Sequence, residues 1–227
     1  MLSNVRNFRL QPIVKLSYGS PIISAYEILT NLHNNSDNLE NYFKVLPLID
    51  FKKLFFFQAS LCSRLDGYFH LNTPLELLLE HYISSVINTS NLGKIHPEKL
   101  RIEIQNPYQL FMLSTLDLAD IRTEIRLLQS AGAEVWLDDI SEIHYTLALD
   151  LGVDGVKLDK SFFWHVDDLL SVQDKFQKEN ISVIVEGVES FSHYSKVAQF
   201  ECTLVQGFLW PDIHIDFNGR VSQQHQS

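Results

Sequence analysis

Eight side chains in this sequence stand at the ends of short apolar runs: Glu27, Asn72, Glu103, Asp138, Asp139, Lys157, Glu186 and Gln206. Taken singly, an acidic residue in such a place is most often a solvated loop carboxylate. Taken together they imply more. Five carboxylates and an amide oxygen gathered at one place repel one another unless divalent cations lie among them. Oxygen ligands of this kind suit Mg²⁺ or Mn²⁺, hard ions that also keep waters and ligand phosphates in their shells. Each residue also has a plainer reading. Asn72 before Thr73-Pro74 fits an N-cap or turn, Lys157 fits an ion pair with Asp159, and Glu189 fits a cap on the following helix. Trp136 and Trp210 read as packing aromatics.

These residues act together only if the segments that carry them converge. Strand character recurs along the chain between longer helical patterns, the mark of βα units around a parallel sheet. Candidate strands run from Phe8 to Leu16, Ile22 to Leu29, Tyr68 to Asn72, Leu100 to Ile104, Val135 to Leu137, Gly155 to Leu158, Val183 to Val185 and Leu204 to Val205. The first two, joined through Tyr18-Gly19-Ser20-Pro21, read as a hairpin. A polar loop follows from Asn31 to Asn41. Helical patterns cover Leu48 to Asp66, Thr73-Pro74 to Val86, and Thr115 to Ala131, the last stopped by Gly132. No Gly-rich phosphate fingerprint follows the first strand, so an α/β fold of the TIM-like (β/α) barrel kind is favoured over an open doubly wound sheet. In a barrel the strand ends converge on one face, where such folds carry their active sites.

Composition sets further bounds. With 45% hydrophobic and 20% charged residues and no Pro/Gly/Ser-rich linker, the chain reads as one globular domain over 1–227, its core spanning about 8–215. Lys and Arg number 18 against 28 Asp and Glu, a net charge of −10 that repels nucleic-acid backbones and anionic membranes. Neither DNA or RNA binding nor membrane association is expected. A phosphate-bearing ligand would need cations near the site to reverse the local field. Cys62 and Cys202 read as small buried hydrophobes in a reducing compartment. No run reaches about 18 apolar residues and no apolar signal segment follows Arg6 and Arg9, so a cytoplasmic location is expected. The polar, Gln-rich tail from Val221 to Ser227 is expected to fray.

The order of motifs resembles the EAL domains, cyclic di-GMP phosphodiesterases, from about Leu10 to Trp210. Gln11-Pro12-Ile13-Val14 is similar to that family's opening strand, and Glu27-Ile28-Leu29 stands where the signature E-A-L does. Leu71-Asn72-Thr73-Pro74, Leu100 to Ile104, Leu137-Asp138-Asp139, Val156 to Phe162, Val185 to Glu189 and Val205 to Phe208 follow in the family's order. The resemblance implies a barrel whose first strand runs antiparallel to the rest. It also implies two-metal hydrolysis of one phosphodiester bond of cyclic di-GMP, giving linear pGpG. Carried over by position, Glu27, Asn72, Glu103 and Asp138 would ligate the metals, and Asp139 and Glu186 would serve the second ion directly or through water. Lys157 would orient and help activate the attacking water, Glu189 would brace the site, and Gln206 would hold a water or the substrate. Gln11 would touch a guanine edge, with Leu29 and position 31 also on the substrate.

Departures from the family pattern matter as much. The loop after Asp138-Asp139 reads Ile140-Ser141-Glu142-Ile143-His144-Tyr145-Thr146-Leu147 where the family has F-G-T-G-Y-S-S-L, so both glycines are gone and another loop shape is expected. Asn106 replaces the Glu that anchors this loop, and His193 replaces a Gln. Asn31 replaces an Arg that would contact substrate phosphate, a loss of roughly 1.5–3 kcal/mol for a charge-assisted bond. The leading expectation is a metal-dependent cyclic di-GMP phosphodiesterase. The alternative is a weak or inactive regulator on the same barrel that binds cyclic di-GMP or a protein partner such as a transcription factor. Retention of the carboxylates and Lys157 favours the enzyme. Homodimerisation is implied by the resemblance and weakened by the altered loop. A phosphodiesterase for another phosphate ester is a third, remoter expectation, raised by Asn31.

Overall fold

The computed structural model describes residues 4–17, 21–33, 39–89, 95–199 and 204–221. Among these residues nine strands form one sheet: β1 (Val5–Lys15), β2 (Ile22–Leu32), β3 (Phe69–Thr73), β4 (Leu100–Ile104), β5 (Glu134–Ile140), β6 (Gly155–Leu158), β7 (Ser182–Val185), β8 (Leu204–Gln206) and β9 (Ile213–Ile215). Strands β2 to β8 pair in parallel in chain order. β1 runs antiparallel to both β2 and β8 and so closes the barrel. The sheet is therefore a TIM-like barrel with an inverted first strand, as expected. β9, three residues long and too short to carry a periodic signal, adds to the outer half of β1.

Strands buried on both faces read as continuous apolar runs, and β6 is buried along its whole length. Inside the barrel, Ile13, Ala25, Trp136 and Ile184 pack together with Leu204. A β-carbon at Gly155 would run into the Trp136 ring, so the glycine makes room for the indole. Outside, the helices cover the sheet: α1 (Leu39–Lys44), α2 (Leu48–Cys62), α3 (Leu75–Leu79), α4 (Tyr82–Thr89), α5 (Thr115–Ser130), α6 (Tyr145–Leu151), α7 (Lys160–His165), α8 (Leu169–Lys178) and α9 (Phe191–Gln199).

Several expected boundaries shift for identifiable reasons. β2 continues to Leu32, past the expected end at Leu29, because its pairing with β1 runs on to Val5. The helical pattern from Thr73 to Val86 splits into α3 and α4, with His81 at φ 49° between them. The break has a tertiary cause. Glu124 of α5, fully buried, accepts from the Ser84 amide at 2.8 Å, from Ser84 Oγ at 2.7 Å and pairs with His81 Nδ1 at 2.8 Å, capping α4 from outside its own segment. α1 begins within the expected polar loop, and Asn31 and Leu32 belong to β2.

The loop after Asp139 needs no glycine, because Glu142 to His144 form a right-handed 3₁₀ turn that leads into α6. Cys62 is fully buried, and burial pushes its thiol well above the usual range, which makes it a packing residue. Cys202, most of the loop over 34–38, the turn at 18–20 and the tail over 222–227 lie outside the described residues. Val221 makes a bridge to Ile215. Among the described residues no helix is long and apolar enough to cross a membrane.

Candidate active site

Parallel register brings side chains two apart on one strand, and level positions on the next, to the same face. Asn72 of β3 lies level with Glu103 of β4, and Gln11 of β1 lies opposite Glu27 of β2. Consecutive residues on a strand point to opposite faces, so Asp138 and Asp139 share a site only if the strand is bent. The β5–β6 register shifts between Leu137 and Ile140, and Asp139 sits at φ 51°. This bulge places oxygens of Asp138, Asp139 and Glu186 within 4.8 Å of one another.

Lys157 occupies the centre. Its Nζ lies 3.1 Å from Glu27, 3.2 Å from Glu103, 3.0 Å from Asp138 and 2.8 Å from Glu186, with 1% of the side chain exposed. Lys157 is thus not a partner of Asp159, which instead caps α7 through the amides of Ser161 and Phe162. Asn72 is not an N-cap, since Pro74 holds that place and the Asn72 amide donates to Glu27 Oε1 at 2.6 Å. Gln206 Nε2 donates to Glu27 Oε2 at 2.6 Å and to Gln11 Oε1 at 2.8 Å.

One ammonium group does not balance five carboxylates. Burial pushes Glu103 and Glu186 well above the usual carboxylate range, and their acidic neighbours add to the shift against the pull of Lys157. Burial pushes Asp138 up to about 6 and also raises Asp139. Burial acts on Glu27 as well, but Lys157 and the amides of Gln206 and Asn72 outweigh it and hold that carboxyl below its usual value. For Lys157 the desolvation is likewise overcome, here by Asp138, Glu103, Glu186 and Glu27, so the ammonium stays charged.

Of the six buried oxygens without a hydrogen-bond partner among the described residues, three lie at this site: Asn72 Oδ1, Asp138 Oδ1 and Gln206 Oε1. Asp138 Oδ1 faces Lys157 Nζ as an ion pair but outside hydrogen-bonding geometry. A buried, unpaired oxygen is costly unless something electropositive meets it. Hard, all-oxygen donors of this type fit Mg²⁺ or Mn²⁺.

A family model described as EAL domain matches residues 3–211. The chain belongs to the EAL domain family. Among curated proteins no sequence relative is found. Its fold is similar to that of Klebsiella pneumoniae BlrP1 in a calcium and cyclic di-GMP complex, with a TM-score of 0.75 and 19% identity. That match covers 95% of this chain and 57% of BlrP1, so the chain spans less than two thirds of that protein's length. A standalone EAL protein from Vibrio cholerae O395, in its cyclic di-GMP bound form, is covered over its full length, with a TM-score of 0.75 and 19% identity. The phosphodiesterase PaMucR in its cyclic di-GMP complex matches with a TM-score of 0.67 and 20% identity, over 96% of this chain and 92% of that one.

Within this EAL barrel the remaining expected residues are placed less centrally. Leu29 lines a cavity of about 620 Å³ that also touches Asn72 and Asp139. The Asn31 amide donates to Asn7 Oδ1 at 2.8 Å and lies 3.4 Å from His214 Nδ1. Glu189 is exposed, and no described hydrogen bond or ion pair joins its side chain to the carboxylates. Its loop is held by Trp164 Nε1, which donates to the Gly187 carbonyl at 3.0 Å, and by His193 Nδ1 at 3.0 Å from the same oxygen.

Sequence reasoning missed His70. Two residues before Asn72 on β3, it places Nδ1 2.7 Å from Glu103 Oε1 and its ring 5.0 Å from that of Trp136. Burial, then the charges of Lys157 and Arg101, push His70 well below its usual range, so it meets Glu103 as a neutral imidazole. A lone His inside an apolar strand carries no sequence signal for such a role. Only the period of two relative to Asn72 pointed to the same face.

Proposed function

We propose that this EAL domain hydrolyses one phosphodiester bond of cyclic di-GMP to give linear pGpG, using two Mg²⁺ or Mn²⁺ ions. The observation that carries this reading is the pair of partnerless buried amide oxygens, Asn72 Oδ1 and Gln206 Oε1, beside five carboxylates that share a single ammonium group. The structures of BlrP1, PaMucR and the Vibrio cholerae protein with cyclic di-GMP support the choice of ligand. Glu27, Asn72, Glu103 and Asp138 would hold the ions, with Asp139 and Glu186 at the second. Bound there, such ions lower the pKa of water and offset charge on the attacking and leaving oxygens of an in-line displacement.

The chain's own groups do the rest. Lys157, kept protonated by its four partners, orients Glu27, Glu103, Asp138 and Glu186 and donates to an attacking water or phosphate oxygen; it does not act as a base. Gln206 spends its amide hydrogens on Glu27 and Gln11, which aims Oε1 at a water or the substrate. That same bond turns the NH₂ of Gln11 towards a guanine acceptor. Leu29 packs against the nucleotide, and Glu189 braces the loop carrying Glu186. One domain over 1–227 suffices for this reading.

Purified protein incubated with cyclic di-GMP and Mg²⁺ or Mn²⁺ should yield pGpG by liquid chromatography, and EDTA, Glu27→Ala or Lys157→Ala should abolish it. Tight nucleotide binding without turnover would replace this reading with that of a non-enzymatic regulator.

A further inference from the structure

The β1–β2 ladder forms one wall of the site. Its inward rungs, read away from the carboxylates, are Gln11 opposite Glu27, Arg9 opposite Leu29 and Asn7 opposite Asn31. Two residues along an extended strand advance about 6.6 Å, so Arg9 stands one rung beyond the level of Glu27 and Asn31 stands two. Asn31 is uncharged, and its amide is turned sideways to Asn7 and His214. Arg9 instead lines the cavity that also touches Leu29, Asn72 and Asp139. The other cation on that cavity wall, Lys44, is an exposed residue of α1.

Arg9 is also held in place. β9 pairs with β1 so that His214 lies opposite Arg9, and Asp212, just before β9, accepts from Arg9 Nη1 at 2.8 Å through Oδ2. The Arg9 side chain is 31% exposed against 14% for Asp212, so the carboxylate is the buried partner and the guanidinium the one that reaches the cavity. A guanidinium presents five N–H donors in a planar fork, of which Asp212 takes one among the described contacts. One edge anchored on a carboxylate fixes the plane of the other, which suits an anion with two oxygens.

We infer that Arg9 binds the second, uncleaved phosphate of the cyclic dinucleotide, with Asp212 as its positioning residue. This rests on the phosphodiesterase reading above. A cyclic dinucleotide carries two phosphodiesters; when one lies at the carboxylates, the other is a separate anion that an acidic wall would repel. The positive charge absent from β2 at Asn31 is supplied from β1, one rung nearer the carboxylates.

The test is calorimetric titration of cyclic di-GMP with Ca²⁺ in place of Mg²⁺, its looser coordination disfavouring turnover, on wild type, Arg9→Met, Arg9→Lys and Asp212→Asn. Arg9→Met should weaken binding about 10- to 100-fold, and Arg9→Lys, which keeps the charge but loses the fork, should fall between. In Mn²⁺ turnover assays Arg9→Met should raise KM more than it lowers kcat. Its loss on cyclic di-GMP should exceed by about tenfold that on bis(p-nitrophenyl) phosphate, which has no second phosphate. A Met variant that binds as tightly as wild type, or that loses the same factor on both substrates, overturns the inference alone. Wild-type protein that binds no cyclic di-GMP overturns the phosphodiesterase reading and this inference with it.

Discussion

Lys157→Met keeps much of the side chain's bulk and removes the cation that touches Glu27, Glu103, Asp138 and Glu186 at 2.8–3.2 Å. Stripping one partner from a buried ion pair costs about 3–5 kcal/mol, because the remaining charge is left uncompensated. Here part of that is recovered. Asp138, already pushed up to about 6, together with Glu103 and Glu186, can take up protons once the ammonium is gone. A net loss of about 2–4 kcal/mol in EDTA at pH 7.5 is therefore expected, and at about 2–4 °C per kcal/mol for a domain of this size the melting temperature should fall by roughly 5–15 °C. Divalent ions bound as proposed would supply the missing positive charge, and an ion at about a hundred times its Kd would add about 2.7 kcal/mol to the folded state. Saturating Mg²⁺ should thus raise the variant's midpoint more than the wild type's and at least halve the gap, while turnover stays lost. Differential scanning fluorimetry with and without EDTA measures both numbers. A variant melting within about 1 °C of wild type in EDTA, or a gap unchanged by Mg²⁺, would refute the idea that Lys157 holds the carboxylates together until cations arrive.

Two further outcomes follow from the same geometry. Asp138, Asp139, Glu103 and Glu186 hold their protons to higher pH than ordinary carboxylates, whereas metal ligands must be deprotonated, so Mn²⁺ binding at pH 6 should release protons and tighten as pH rises through that value. Titration calorimetry in two buffers of different ionisation enthalpy reads the proton count, and identical heats would contradict it. Gly155→Ala pushes a methyl group into the Trp136 ring and should cost about 1–3 kcal/mol in urea unfolding. Adding Trp136→Leu should recover part of that loss, and strictly additive effects would show that the two positions do not meet.

Which side chains share one mouth was more legible in the sequence than where the elements begin and end, and the reason lies in barrel geometry. A polar residue at the end of an apolar run is unremarkable alone, but parallel strands bring all such ends to one mouth, so the pattern of runs groups Asn72, Glu103, Asp138, Lys157 and Gln206. Glu27 belongs to the same group although it lies mid-strand, because β2 runs on to Leu32. What stayed hidden depended on contacts distant in sequence. The α3–α4 break answers to Glu124, 43 residues from His81. The choice of Lys157 for four carboxylates over nearby Asp159 depends on strands 130 and 54 residues away. His70 and Arg9 are single residues on strands, and a single residue has no period from which a role can be read.

The loop after Asp139 keeps its shape by means other than glycine. Lacking glycine, it places its one left-handed residue at Asp139, and Asn106 across from it adopts φ 53°. Asp and Asn are the non-glycine types that enter that region at least cost. Right-handed turn follows from Ser141, whose amide donates to His144 Nδ1 at 3.1 Å, and His144 is fully buried with ring centroids 4.6 Å from Tyr108 and 5.4 Å from Phe111. Aromatic packing at His144 and the ion pair of Glu142 with Lys175 therefore hold the loop. The acidic trio still meets within 4.8 Å, so the departure at 140–147 does not spread to the carboxylates. On the proposed reading, what the chain has altered is the wall that would meet the ligand, at Asn31 and Arg9, and differences in activity from other EAL domains should therefore appear in KM before they appear in kcat.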